Sequence, residues 1–163
     1  MNYAPWWTRV AASLIDRVPP VFAVVGGALF EWSQRETKCL AEQADYSIGP
    51  YCATGNSVAG VVVWVACLVV ATLFMLWNHG YLQGTTGSSL GKRLLCVRVV
   101  AEKTGEPIGF VRSVVRQVTH LVDAAPMFVG YLFPLWDAKR QTLADKLMST
   151  VCVRRERGVS GTR

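Results

Sequence analysis

The sequence contains little of what enzymes and metalloproteins use for chemistry. It has two histidines, and none of its five cysteines lies in a Cys-x-x-Cys pair, so the ligand spacing of a zinc site is missing. The stretch 84–93 resembles a phosphate-binding loop, but Thr86 occupies the position of its first glycine and Arg93 that of its magnesium-binding hydroxyl. Neither histidine has a partner at the spacing of a nucleophilic triad. We therefore expect no enzymatic activity, no metal and no other cofactor.

Charged residues are also scarce, and basic residues outnumber acidic ones. They make up 17% of the 163 residues, against 52% hydrophobic residues, and the formal net charge is +6. This composition is too apolar for an ordinary soluble domain and too charged for a chain buried entirely in lipid. The basic residues are scattered through apolar surroundings, without a nucleic-acid-reading motif. We expect one membrane domain whose basic residues face anionic lipid headgroups, with no nucleic-acid partner.

Two hydrophobic segments are long enough to cross a bilayer. The first runs from about residue 7 to residue 32, and the second covers residues 58–79, with no charge between residues 58 and 77. The first carries Asp16 and Arg17 near its start and has no convincing cleavage site after it, so we expect it to be retained rather than removed as a signal peptide.

The distribution of basic residues predicts the orientation. Residues 80–163 hold thirteen of the seventeen lysines and arginines, against six acidic residues. The positive-inside rule therefore places both termini in the cytoplasm and the polar loop 33–57 outside. Within that loop, Cys39 and Cys52 are the pair whose placement suggests a disulfide, which an external compartment permits. Two free thiols are the alternative.

The cytoplasmic half is predicted to form a small cap. The segments assigned to it are a turn and strand (80–109), a cap (137–157) and a tail (158–163). A strand at 150–153 has the length to pair with the strand around residues 96–100. Thr142 is positioned to cap a short helix over 142–148, with Asp145 at its third position.

Residues 110–136 form a third hydrophobic region. Valines and leucines recur on one face of residues 110–122, with Arg112, Arg116 and Gln117 opposite, which predicts an amphipathic, interfacial helix. Basic residues flank both ends of the region, favouring a helical hairpin that enters and leaves on the cytoplasmic side. A single tilted span is the alternative. The predicted fold is an all-α membrane protein with two transmembrane helices, this third hairpin or span, and a cap containing a short β-pair.

Asp16 needs a partner, because a carboxylate inside a span is costly in hydrocarbon. Arg9 lies seven residues earlier, on the same helical face. The cations that we consider as partners or supporting residues are Arg9, Arg17, Lys92, Arg93, Lys139 and Arg140. Asp16 is then either a structural latch between the first helix and the cap or part of an ion- or proton-coupled site. His120 and Asp123, one turn apart, are expected to form a surface pair.

Three motifs occur in an order that resembles the RDD family of small bacterial membrane proteins. They are RVAASLID, GSSLGKRLLCVRVV and WDAKRQTLADKLMSTVCVRR. The family is named for one arginine and two aspartates, which the resemblance places at Arg9, Asp16 and Asp145, with Lys92 in a typical basic turn. Ala144 stands where histidine is common. The resemblance implies the bacterial inner membrane and a function that is largely undefined, with transport, including sodium/proton exchange, proposed for some members.

Two functions are consistent with these observations. Small size, few spans, no catalytic residues and a basic cap favour an accessory or scaffolding subunit of a larger membrane complex. The alternative is a transporter or antiporter component that uses Arg9, Asp16 and Asp145. That alternative requires a homo-oligomer, because two spans and a hairpin do not enclose a pathway alone.

Overall fold

The computed structural model describes residues 2–40, 51–124 and 129–154. The chain is mostly helical, with two small antiparallel β-pairs. It forms two compact units: unit 1 comprises Met1–Val18 and Phe74–Arg163, and unit 2 comprises Pro19–Leu73.

The elements in chain order are α1 (Trp6–Ser33), β1 (Glu36–Leu40), β2 (Tyr51–Gly55), α2 (Val58–Met75), a π-helical turn (Leu76–Leu82), α3 (Gln83–Thr86), α4 (Leu90–Leu94), β3 (Val97–Ala101), α5 (Phe110–Ala124), α6 (Val129–Leu132), a 3-10 turn (Phe133–Leu135), α7 (Leu143–Leu147) and β4 (Thr150–Arg154).

Two helical stretches within the described residues are long and apolar enough to cross a membrane. They are Trp6–Ser33 and Val58–Thr86, and only 11% of the most apolar part of each is buried within the protein. The second is longer than the predicted segment 58–79, because the π-helical turn and α3 continue the helix. It ends at Gly87, whose φ of 76° is a conformation that glycine adopts without strain.

Unit 2 contains a close helix pair and a β-hairpin. A Cβ on Gly27 of α1 would lie 2.9 Å from the Cβ of Cys67 of α2, so the missing side chain allows the two helices to approach closely. The predicted loop 33–57 contains β1 and β2, which pair with Cys39 opposite Cys52, and the two cysteines form a disulfide. These strands were not predicted, because they are short and polar. Residues 41–50 of the loop lie outside the described residues.

Unit 1 contains the predicted cap. Strand β3 pairs antiparallel with β4, and Val99 lies opposite Cys152, which confirms the predicted β-pair. The chain before α1 extends this pair, since Tyr3 bridges Val153 and the backbone N–H of Ala4 donates to the Cys152 carbonyl at 2.9 Å. A small apolar core lies beneath it and consists of Ala4, Val97, Val99, Ile108 and Cys152. Residues 155–163, which include the end of the predicted cap and the tail, lie outside the described residues.

The region 110–136 contains two helices rather than one. The hydroxyl of Tyr131 on α6 donates to the carbonyl of His120 on α5 at 3.1 Å, and the two rings stack with centroids 5.7 Å apart. The chain therefore turns back on itself after α5, as the predicted hairpin requires and a single tilted span does not. Residues 125–128 lie outside the described residues.

Candidate functional site

Helix α5 turns Ser113, Arg116 and Asp123 into unit 1 and most of its apolar side chains outward. Arg116 is 4% exposed and Asp123 is fully buried, whereas Val118 is 61% and Leu121 68% exposed. A surface helix of a soluble protein has the opposite arrangement. The predicted amphipathic pattern is confirmed, but its polar face is divided: Arg112 is exposed as predicted, Gln117 is half-buried, and Arg116 points into the protein.

Asp145 lies at the centre of the buried polar groups. Its Oδ1 accepts from Nε (3.1 Å) and Nη2 (2.5 Å) of Arg116 and from the Thr150 hydroxyl (3.1 Å). Its Oδ2 accepts from Nη1 of Arg9 (3.1 Å) and from the backbone N–H of Thr142 (3.3 Å). These five residues form what we call the Asp145 cluster, which joins α1, α5, α7 and β4.

Local sequence explains why Asp145 is in position. Thr142 precedes α7 and accepts from the backbone N–H of Asp145 at 3.1 Å, completing the predicted capping box. Burial alone would raise the pKa of the Asp145 carboxyl, but the guanidinium of Arg116, and then that of Arg9, outweigh burial and hold the pKa at about 2. Asp145 is therefore a carboxylate at every physiological pH.

Asp16 is buried but is held by neutral donors. Its Oδ1 accepts from the side-chain amide of Asn78 at 2.8 Å and from the backbone N–H of Gly91 at 2.7 Å, and its Oδ2 accepts from the Ser89 hydroxyl at 2.5 Å. Across residues 2–40, 51–124 and 129–154, no lysine or arginine forms an ion pair with it. The expectation that converging cations stabilise Asp16 is therefore wrong, because hydrogen-bond donors that carry no charge satisfy the carboxylate.

Gly91 is required for this contact. A Cβ at this position would collide with the backbone carbonyl of Ala12 and would lie 3.1 Å from the Asp16 carboxyl carbon. The absence of a side chain allows the Gly91 N–H to reach α1. The glycine-rich turn therefore approaches a carboxylate of its own chain rather than a phosphate.

The predicted site residues do not all come together in the structure. Arg9 and Asp145 meet, whereas Asp16 lies in a separate hydrogen-bond network. Lys92 is buried and its ammonium donates to the Gln83 side chain. The other predicted basic residues are exposed: Arg17, Arg93 (bonded to the Thr86 hydroxyl at 3.0 Å), Lys139 (paired with Glu102) and Arg140.

The predicted surface pair of His120 and Asp123 is also corrected. The Asp123 carboxylate is fully buried, with Oδ2 2.6 Å from Nδ1 of His120 and Oδ1 accepting the backbone N–H of Ala144 at 3.0 Å. This pair therefore attaches the end of α5 to the start of α7. The one-turn spacing of the two residues predicted that they meet and did not show that they meet inside the protein.

A cavity of about 590 Å³ lies among these residues, entirely within unit 1. Its charged lining consists of four basic side chains (Arg9, Arg17, Lys92 and Arg116) and two acidic ones (Asp16 and Asp145), a formal surplus of two positive charges. Its apolar lining includes Trp6, Val10, Leu14, Met75, Leu121 and Leu132. This combination of an apolar wall and a few convergent charges is typical of a binding site for a small molecule.

Several residues of the site were not identified from the sequence. Arg116 was assigned to an outward polar face, and Asn78, Ser89 and Thr150 were given no role. One signal was present: Asn78 and His79 are polar residues at the end of an otherwise uncharged span, where a polar side chain points to a specific contact.

The profile of the RDD family matches residues 3–149. The "Proline-rich antigen homolog" of Mycobacterium tuberculosis is 49% identical over 152 residues, which cover 93% of this chain and 63% of that protein. The "Proline-rich antigen" of Mycobacterium leprae is 45% identical over 151 residues, which cover 93% of this chain and 61% of that protein. This chain therefore spans about six-tenths of the length of the curated relatives that it matches. No solved structure matches the chain.

Proposed function

The chain belongs to the RDD family of membrane-associated proteins, and on that premise we propose that it is a small non-enzymatic subunit, accessory or scaffolding, of a larger complex in the bacterial plasma membrane. We further propose that it crosses the membrane twice, with both termini in the cytoplasm. The observation that carries the proposal is that the two aspartates of the predicted charge cluster are engaged within the chain by both of their carboxylate oxygens. Asp145 accepts five hydrogen bonds and Asp16 accepts three, which suits a structural role better than proton transfer.

The exposed apolar surface supports a partner within the membrane. Val62, Val70 and Leu73 of α2 are each about three-fifths exposed, and α5 adds a second apolar face. A surface of this kind is covered either by lipid tails or by helices of another protein.

Copurification is the experiment that tests the accessory role. The affinity-tagged chain, extracted from its native membrane in mild detergent, is expected to bring down a larger membrane protein in a fixed molar ratio. Size-exclusion chromatography with light scattering gives the mass of the complex, and mass spectrometry identifies its members. A chain that elutes alone, or only with copies of itself, would overturn the accessory role.

A transporter component is the second candidate, and the cavity is the observation that favours it. Its positive surplus fits an anion better than a sodium ion, because a cation would face four basic side chains. Since two candidate spans do not enclose a pathway, this function also requires a homo-oligomer.

A further inference from the structure

Lys92 places a charged ammonium inside unit 1 without a carboxylate in contact. Its Nζ donates to the Gln83 side chain, and within the described part of the chain it forms no ion pair. An ammonium has three N–H donors, so two remain available. Burial, and then the positive charge of Arg116, lower the pKa of Lys92 to about 8, so the group stays mostly protonated at neutral pH. A buried charge without a counter-ion is costly, and a bound anion removes that cost.

Two further buried nitrogen atoms on the cavity lining have no hydrogen-bond partner. They are Nε of Arg9, whose side chain is 10% exposed, and Nδ1 of His79, which is 9% exposed. Nε of an arginine is always a donor, and a histidine Nδ1 is a donor in one tautomer. The three residues line the cavity from three different elements: α1, the π-helical turn and α4.

The acidic residues of the cavity do not accept hydrogen bonds from Lys92 Nζ, Arg9 Nε or His79 Nδ1. Both oxygens of Asp145 and both oxygens of Asp16 already accept hydrogen bonds from other donors, and neither residue is paired with Lys92. Lys92 Nζ and Arg9 Nε are donors in every case, and Nδ1 of His79 is a donor in one tautomer, so an anionic ligand fits these groups best.

The apolar wall indicates what the anion is attached to. Leu14, Leu121 and Leu132 line the cavity and also belong to the exposed apolar surface of unit 1. The wall therefore continues into a surface that suits acyl chains. A free phosphate would leave this wall without an apolar partner, and about 590 Å³ is the size of a site for a larger molecule.

We propose that this cavity binds one anionic phospholipid, with the phosphate on Lys92, Arg9 and His79 and the acyl chains along the apolar wall. The proposal adds a specific ligand site and does not depend on the accessory role. Such a site differs from general attraction to anionic headgroups, because it is saturable and has a defined stoichiometry.

Calorimetric titration of the full chain in a neutral maltoside detergent tests the site. Dihexanoyl phosphatidylglycerol, kept below its micelle-forming concentration, is expected to bind saturably with one lipid per chain. Dihexanoyl phosphatidylcholine, which has no net charge, is expected to bind more weakly than phosphatidylglycerol by a factor of about ten or more. Inorganic phosphate is expected to give no saturable signal.

Substitutions test the assignment to this cavity. Lys92→Gln is expected to weaken phosphatidylglycerol binding by about tenfold or more, because a buried charge-assisted contact is lost. The matched control is Arg93→Gln: this neighbouring side chain is exposed and donates to the Thr86 hydroxyl, and its loss is expected to change affinity by less than about twofold. Ser13→Phe fills the cavity without altering a charge and is expected to abolish binding, so the test stands even where Lys92→Gln lowers the yield of folded protein.

Three outcomes overturn the proposal. One is unchanged phosphatidylglycerol affinity in both Lys92→Gln and Ser13→Phe. Another is equal binding of the two lipids, which would indicate a purely apolar site. The third is saturable binding of inorganic phosphate with no preference for the lipid, which would indicate a free-anion site.

Discussion

Replacing Asp145 with asparagine is expected to lower the free energy of unfolding by about 3–5 kcal/mol, because it leaves two buried guanidinium groups without their carboxylate. Arg9 and Arg116 both contact Asp145, and their side chains are 10% and 5% exposed. The measurement is the thermal midpoint in detergent, determined by size-exclusion chromatography with fluorescence detection. We expect the midpoint to fall by about 10 °C. The yield of folded protein in the membrane is expected to fall with it.

Asp137→Asn is the matched control for this substitution. The Asp137 carboxylate pairs with Lys146 at 2.7 Å, but the lysine is 44% exposed, so we expect a loss below about 1 kcal/mol. The pH dependence gives a second readout. The pKa of Asp145 in the folded protein, about 2, lies below its ordinary value of 3.8, so its contribution is complete above about pH 4 and is lost as the pH falls towards 2. Equal midpoints for the two variants would show that the Asp145 cluster does not stabilise the fold.

Asp16→Ala is expected to have the second largest effect, a loss of about 3 kcal/mol or more, because it leaves three buried donors unpaired. These donors are the Asn78 amide, the Ser89 hydroxyl and the Gly91 backbone N–H. Asp16→Asn is expected to cost only about 1 kcal/mol, since the amide oxygen replaces Oδ1 and the Ser89 hydroxyl can rotate and accept from the amide nitrogen. Thermal midpoints of both variants measure the difference.

The same pair of variants separates a structural role from ion transport. If Asp16 is structural, ion flux per folded molecule in proteoliposomes is expected to be the same for the wild type and for Asp16→Asn. If Asp16 couples protons or ions, Asp16→Asn keeps its protein level and loses pH-dependent flux. Lys103→Gln is the control, because that side chain is exposed and does not line the cavity.

The parts of the fold that were predictable depend on short stretches of sequence. The uncharged run from residue 58 to residue 77 is sufficient to predict the second apolar helix. The order of Thr142 and Asp145 predicts a capping box, and two short strand-like segments of similar length predict the β3–β4 pair. Each of these features is set by neighbours in the chain.

The partners of Asp16 were not predictable in the same way. Its three donors lie more than 60 residues away along the chain, and all three are uncharged. A sequence argument based on charge looks for a cation, because Coulomb attraction is the familiar means of stabilising a buried carboxylate. Only the folded chain shows that a π-helical turn and a glycine bring enough neutral donors together.

The direction of α5 was not predictable for a different reason. Its pattern shows one polar face and one apolar face, and periodicity alone does not say which face meets the solvent and which meets the protein. Arg116 was therefore assigned outward, although it contacts Asp145 at 2.5 Å inside unit 1. The surrounding medium decides the direction, because in lipid the apolar face is the one that is stable on the outside.

The central claim is that unit 1 encloses the Asp145 cluster and presents the apolar face of α5 to lipid. Photocrosslinking in lipid nanodiscs tests it most directly, with benzoylphenylalanine at Val118 and, as control, at the exposed Lys103 of the turn after β3. Intact-mass spectrometry is expected to find a phospholipid adduct at Val118 and none at Lys103. Equal labelling at both positions, or no lipid adduct at Val118, would contradict it.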